Sequence, residues 1–146
     1  MVKHIGFGFL AALITIAGSP AAGFSQTQPT AIPAPEAQFV PKAQVSLTEN
    51  RVTVKLINTT NAPISYQAIG DTNVRTLPGR GTVTLQGLRV PSTLTFHRQD
   101  AGLLNITPKQ STQSANTIDV TLDATTNLGI DSPTMRIESN GSVFLY

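Results

Sequence analysis

From about Lys42 onward, apolar and polar residues alternate with a period of two, in short runs separated by turn residues. Val45 and Leu47 alternate with Ser46 and Thr48, and Glu49-Asn50 marks a turn. Val52, Val54 and Leu56 then alternate with Arg51, Thr53 and Lys55. Such alternation is the pattern of a strand with one face on a core and the other in water. Asn58 to Pro63 is rich in Asn and Pro and breaks the run, after which Ile64, Tyr66 and Ala68 point one way. Gly70-Asp71 turns the chain, and a weaker strand from Asn73 to Leu77 leads into Pro78-Gly79-Arg80-Gly81. Val83 with Leu85, and Leu94 with Phe96, make two more strands, separated by Gly87 and Pro91. Leu104 and Ile106 belong to a strand that Pro108 is expected to end, because proline donates no ladder hydrogen bond. After the polar loop Lys109 to Asn116, Ile118, Val120 and Leu122 alternate with Asp119, Thr121 and Asp123. Ala124 to Pro133 is irregular, with room for a helical turn, and Leu128 and Ile130 are expected to plug one end of the core.

The last segment carries the strongest local signal. Asn140-Gly141 lies between two apolar-bearing runs and predicts a two-residue type I′ hairpin. In that register Ile137 opposes Phe144 and Met135 opposes Tyr146, so these four share a face. Val143 and Leu145 then fall on the other, beside Arg136 and Glu138. About eight or nine short strands at this spacing predict an all-β, antiparallel β-sandwich, with a small β-barrel as the alternative. The sandwich is immunoglobulin-like in architecture alone, since the Cys and Trp of true immunoglobulin domains are both missing.

The first 41 residues read differently. Lys3 precedes Ile5 to Ala17, a 13-residue run without charge, and small residues follow from Gly18 to Gly23. A spanning helix needs about 20 apolar residues, so the run suits the core of a signal peptide better than an anchor. Cleavage is expected after a residue between Ala21 and Ser25, and the chain is tied to a membrane only if it is not cleaved. Pro29, Pro33, Pro35 and Pro41 then make a stiff, extended spacer. The expected organisation is a signal peptide over 1–25, a Pro-rich linker over 26–41 and a β-sandwich domain over 42–146.

Composition sharpens this picture. Only 12% of residues are charged, and the formal net charge is +2 with no run of Lys or Arg. Nucleic-acid binding needs a basic footprint, so none is expected. The chain holds 20 threonines, several in Thr-x-Thr pairs, which predicts sheets whose outer faces carry hydroxyls. These pairs lack the regular period that an ice-binding array would need. There is no cysteine, so packing alone must hold an exported domain together.

No residue is nominated as catalytic, cofactor-binding or metal-ligating. His97 is the one histidine outside the signal segment, with Asp100 and Ser92 nearby in sequence. It falls on the threonine face of its strand, and no G-x-S-x-G motif accompanies it. Asp119, Asp123, Asn127 and Asp131 recur at intervals of four and suggest calcium, yet hard cations want more converging oxygens. Asx turns explain the same residues. Pro78-Gly79-Arg80-Gly81 lacks the Gly-Lys-Ser/Thr ending of a phosphate loop and reads as a turn.

The stretches NAPISYQAIGDT, RTLPGRGTVTLQGL and TLTFHRQDAGLLNITP, with the ending TMRIESNGSVFLY, resemble small exported proteins of cyanobacteria. The resemblance implies a bacterial envelope or extracellular setting and brings no activity, ligand or site residue with it. The functional expectation is a non-catalytic exported binding or structural module, in the periplasm or outside the cell. Its partner would be a protein bound through a sheet edge or the C-terminal hairpin. A hydrolase with an unrecognised site and a calcium-dependent adhesive module are the alternatives.

Overall fold

A computed structural model describes Gly18 and residues 40–146; the expected signal peptide and nearly all of the expected linker lie outside the described residues. Ten strands follow in order: β1 (Ala43–Gln44), β2 (Arg51–Asn58), β3 (Ile64–Ala68), β4 (Arg75–Leu77), β5 (Thr82–Arg89), β6 (Ser92–Arg98), β7 (Leu103–Gln110), β8 (Thr117–Thr125), β9 (Thr134–Ile137) and β10 (Ser142–Leu145). They form a six-stranded sheet in the order β1-β10-β9-β6-β3-β4 and a four-stranded sheet in the order β5-β2-β8-β7. Neither closes on itself, so the architecture is a β-sandwich and not the alternative barrel. Among the described residues no helix is long and apolar enough to cross a membrane.

The alternation places the core as expected. Val52, Val54 and Leu56 of β2 and Ile118, Val120 and Leu122 of β8 are buried, as are Ile64, Tyr66 and Ala68 of β3 and Leu94 and Phe96 of β6. These residues join one continuous hydrophobic cluster between the sheets. Burying each Leu, Ile or Val contributes about 1.5–3 kcal/mol, which is how a cysteine-free domain holds its two layers. Thr53, Thr84, Thr95 and Thr121 lie at the alternate, outward positions of their strands.

Five expectations are corrected. The second sheet is mixed: β2 pairs antiparallel with β5 and parallel with β8. Residues Val45–Leu47 lie outside any strand; β1 is the two residues before them, and Val45 donates its amide to the Gly141 carbonyl at 2.9 Å. Gly87 stays inside β5, where its φ of +66° makes a bulge. Val54 pairs with Leu85 and Val52 with Leu88, so Thr53 faces both Gln86 and Gly87. The extra residue returns Leu85 and Leu88 to the same core face, three positions apart, which strict alternation forbids. Pro108 does not end β7, which runs on to Gln110 because it is an edge strand. Leu128 and Ile130 form a 3-10 helical turn, yet they are 78% and 44% exposed and do not plug the core.

The sixth correction concerns the terminal hairpin. Val143 pairs with Ile137 and Leu145 with Met135, one residue off the expected register. The Glu138 amide donates to the Ser142 carbonyl and the Gly141 amide to the Glu138 carbonyl, each at 2.9 Å, so the loop has three residues. Gly141 alone among them takes positive φ, at +82°, the arrangement of a type I turn closed by a glycine bulge. A one-residue slip exchanges the faces of a strand. Met135, Ile137, Val143 and Leu145 therefore share the inner face, and Phe144 turns outward with Arg136. The two-residue type I′ turn occurs elsewhere: Glu49 and Asn50 have φ of +52° and +57°, between the mutually bonded Thr48 and Arg51.

Candidate functional site

The sandwich has two open sides, where the sheets end in edge strands. On one, the edge of β7 lies beside Lys42 and Leu145, and a cleft of about 350 Å³ runs between them. On the other, the edge of β5 faces Asp71, Thr72 and Arg75 across a cleft of about 260 Å³.

Which backbone groups face these clefts follows from the ladder. The Ser111 amide donates to the Thr117 carbonyl at 2.9 Å, continuing the β7–β8 pairing. Odd-numbered residues of β7 therefore turn their backbone groups toward β8, and Leu104, Ile106 and Pro108 turn theirs outward. That outward row is occupied at Leu104, interrupted at Pro108 and open at Ile106 between them. The Asp131 carboxylate accepts from the Leu104 amide at 2.9 Å, the Ser132 amide donates to the Leu104 carbonyl at 3.3 Å, and Pro108 has no amide to offer.

On β5 the Asn58 amide donates to the Gly81 carbonyl at 2.9 Å, so Gly81, Val83 and Leu85 face β2 while Thr82, Thr84 and Gln86 turn their groups outward, with Thr84 and Gln86 lining the cleft. Nothing in the described protein bonds to them. The strand enters from a buried polar knot. Asn58 Nδ2 donates to the carbonyls of Ala62 and Pro78, both at 2.9 Å, and its Oδ1 accepts from the Thr60 amide at 2.9 Å and hydroxyl at 2.8 Å. Asn58 and Thr60 are buried, and the knot ties the β2–β3 loop to the Pro78–Gly81 turn. A Cβ at Gly79 would overlap the Asn61 carbonyl, which is why that turn needs glycine there.

Charge is unevenly shared. Arg75 lines the β5 cleft, Arg80 precedes β5, and Arg89 ends it opposite Arg51. Among the described residues the ion pairs are Arg98–Asp100 at 2.6 Å and Arg136–Glu138 at 2.5 Å, so a carboxylate neutralises none of those four arginines by contact. Arg51 donates to the Gly87 carbonyl at 2.8 Å and Arg80 to Asn61 Oδ1 at 2.9 Å. By contrast, the hydrogen bond from Arg98 holds the Asp100 carboxyl below its ordinary range.

The chemistry-bearing residues singled out in the sequence are not brought together. His97 is exposed on the outer face opposite Ser65, while Asp100 is engaged by Arg98. Ser92 points into the core at the far end of the same strand, its Oγ buried without a hydrogen-bond partner. Asp119, Asp123, Asn127 and Asp131 have separate surroundings. Asp119 is aligned with Lys55 and Lys109 on neighbouring strands but forms no ion pair with either. Asp123 accepts from the Thr59 hydroxyl at 3.0 Å, Asn127 caps the Gly129 amide at 2.9 Å, and Asp131 serves Leu104. Among the described residues no cluster of three or more His, Asp or Glu is placed to hold a metal ion. What sequence reasoning missed is the β5 edge. Its signal was available in Thr82-Val83-Thr84-Leu85-Gln86, a strand run without Pro or charge, bracketed by Arg80 and Arg89.

No protein-family model, no curated protein and no solved structure matches the chain.

Proposed function

We propose that this protein is a non-catalytic, exported binding module of the bacterial cell envelope, held off its point of origin by the Pro-rich segment. The observation that carries the reading is the unequal finish of the two open sides: the β7 edge is engaged at Leu104 and interrupted at Pro108, and the β5 edge offers an unbroken row of donors and acceptors. Unpaired strand edges recruit further strands, and natural sheets usually blunt their edges, which this one does not along Thr82–Gln86. The separation of His97, Asp100 and Ser92 also favours binding over hydrolysis, since general acid–base chemistry needs partners within hydrogen-bond reach. The uncharged Ile5–Ala17 run and the resemblance to small exported proteins support the setting.

The test is mass spectrometry of the protein recovered by fraction from its native host. A mature chain starting between Ala22 and Gln26, in the periplasm or medium and with a stoichiometric partner, is the expected result. An intact N-terminus in the membrane fraction would overturn export by cleavage and make the first segment an anchor.

A further inference from the structure

Resting on the binding-module reading, the geometry points to a specific occupant: we propose that the free edge of β5 takes up an extended, acidic segment of a partner protein as an added strand. Thr82, Thr84 and Gln86 supply the main-chain hydrogen bonds, and Arg75 and Arg89 engage the carboxylates.

Three observations support this. The first is the row of outward backbone groups, which only another polypeptide backbone matches at alternate residues. The stretch from Thr82 to Gln86 contains neither proline nor charge, the usual devices that blunt an edge. The second is length. Gly87 bulges β5 at one end and the Pro78–Gly81 turn bounds the other, so the site holds about five residues of an incoming strand. The third is charge. Among the described residues, Arg75, Arg80, Arg89 and Arg51 lie around this edge without a contacting carboxylate, and Asp71 is the one acid lining the cleft. These arginines are exposed, and exposed guanidinium groups beside an open edge favour carboxylates on the arriving strand.

The same charges argue against a second copy of this chain. In the two-fold antiparallel register centred on Thr84, Arg80 of one copy lies opposite Leu88 and beside Arg89 of the other, and this happens twice. Like charges set side by side disfavour that pairing.

The probes are two eight-residue peptides of alternating composition, Val and Thr with Glu at every fourth position, and the same peptide with Lys for Glu. Each is titrated into the full-length, isotope-labelled protein, with backbone amide shifts as the readout. The expected result is saturable shifts confined to residues 82–88 and Arg75 with the Glu peptide, at least about tenfold weaker binding of the Lys peptide, and weakening that grows with salt. Arg75→Glu with Arg89→Glu should reverse the preference. Both residues are exposed, so this double variant does not depend on repacking the core. Thr84→Pro removes one outward amide without touching the β2 ladder and should abolish binding of both peptides.

Equal affinity for both peptides would overturn the acidic partner. The same shifts produced by inorganic phosphate alone would replace a strand site with a simple anion site. A concentration-dependent dimer in sedimentation, blocked by Thr84→Pro, would replace the partner with a second copy. Shifts at Ile106–Pro108 or on the terminal hairpin would sink the β5 assignment while leaving the binding-module reading in place. Loss of that reading is registered separately, by the absence of export and of a co-purifying partner.

Discussion

On the β7 side, Pro108 withholds an amide, Asp131 and Ser132 occupy the backbone of Leu104, and the 3-10 turn Leu128–Ile130 sits alongside. On the β5 side, a strand of equal length carries no proline, receives no side-chain cap along Thr82–Gln86, and is ringed by arginine. Both strands end a sheet, and both face a cleft of a few hundred Å³. The difference lies in how the backbone polar groups are satisfied. An edge finished from within the chain is a structural boundary, whereas one left open in a row is a surface that water fills until something else does.

The largest effect should come from removing the wall of the closed side. Deleting Thr134–Tyr146 takes away β9 and β10, and with them Met135, Ile137 and Val143, which are fully buried. β9 also separates β10 from β6 in the sheet order, so its loss exposes the β6 edge as well. The truncated chain should show no cooperative urea transition by far-UV circular dichroism. A folded, monomeric truncation would mean that β6 and β7 define the boundary without the hairpin.

This hairpin shows how far the sequence could be read. Alternation located β2, β3, β6 and β8 and their inward residues, because burial of one face imposes period two within a strand. It could not assign neighbours. The parallel pairing of β2 with β8 joins residues more than sixty positions apart, and nothing local in Val52–Leu56 or Ile118–Leu122 distinguishes a parallel from an antiparallel partner. Register in the hairpin hinged on whether Asn140-Gly141 filled a two-residue or a three-residue loop. Both use glycine at positive φ, and the packing of Val143 and Leu145 against the core selects the second. Local chemistry predicts that β7 ends at Pro108, because the strand's place at a sheet edge, where proline is tolerated, is a property of the assembled sheet. The sequence shows that Thr82–Gln86 lacks proline and charge, but that this strand is an edge follows only from the strand order.

A smaller effect is expected from opening the closed edge by one residue. Asp131→Ala leaves the Leu104 amide without its acceptor in a part-buried position. The cost should be about 1–3 kcal/mol of unfolding free energy, measured by urea denaturation. The variant should also free the Leu104 amide, visible as faster hydrogen exchange at that residue. Unchanged exchange would show that Ser132 and the 3-10 turn close the edge without the carboxylate, and the contrast between the two sides would then rest on shape alone.

The smallest effect separates the two sides by charge. Arg98 stands where β6 turns into β7, donates to the Leu103 carbonyl at 3.1 Å, and is paired with Asp100. Among the described residues the arginines around β5 have no such carboxylate partner. The Arg98 hydrogen bond lowers the folded-state pKa of Asp100, so the carboxylate favours folding wherever the unfolded chain is also ionised. That contribution is fully present above the ordinary aspartate value of about 3.9 and is lost as pH falls from there through the lowered folded value. Asp100 is solvent-exposed, which keeps the effect small. Asp100→Asn should therefore flatten the decline of Tm with acidification below about pH 4, while Arg75→Glu and Arg89→Glu, at the β5 edge, leave that part of the profile without the same flattening. If the Asn variant and the parent chain lose Tm in parallel from pH 5 downward, the Arg98–Asp100 pair does not distinguish the closed side, and the backbone groups of Leu104 and Thr84 carry the whole difference.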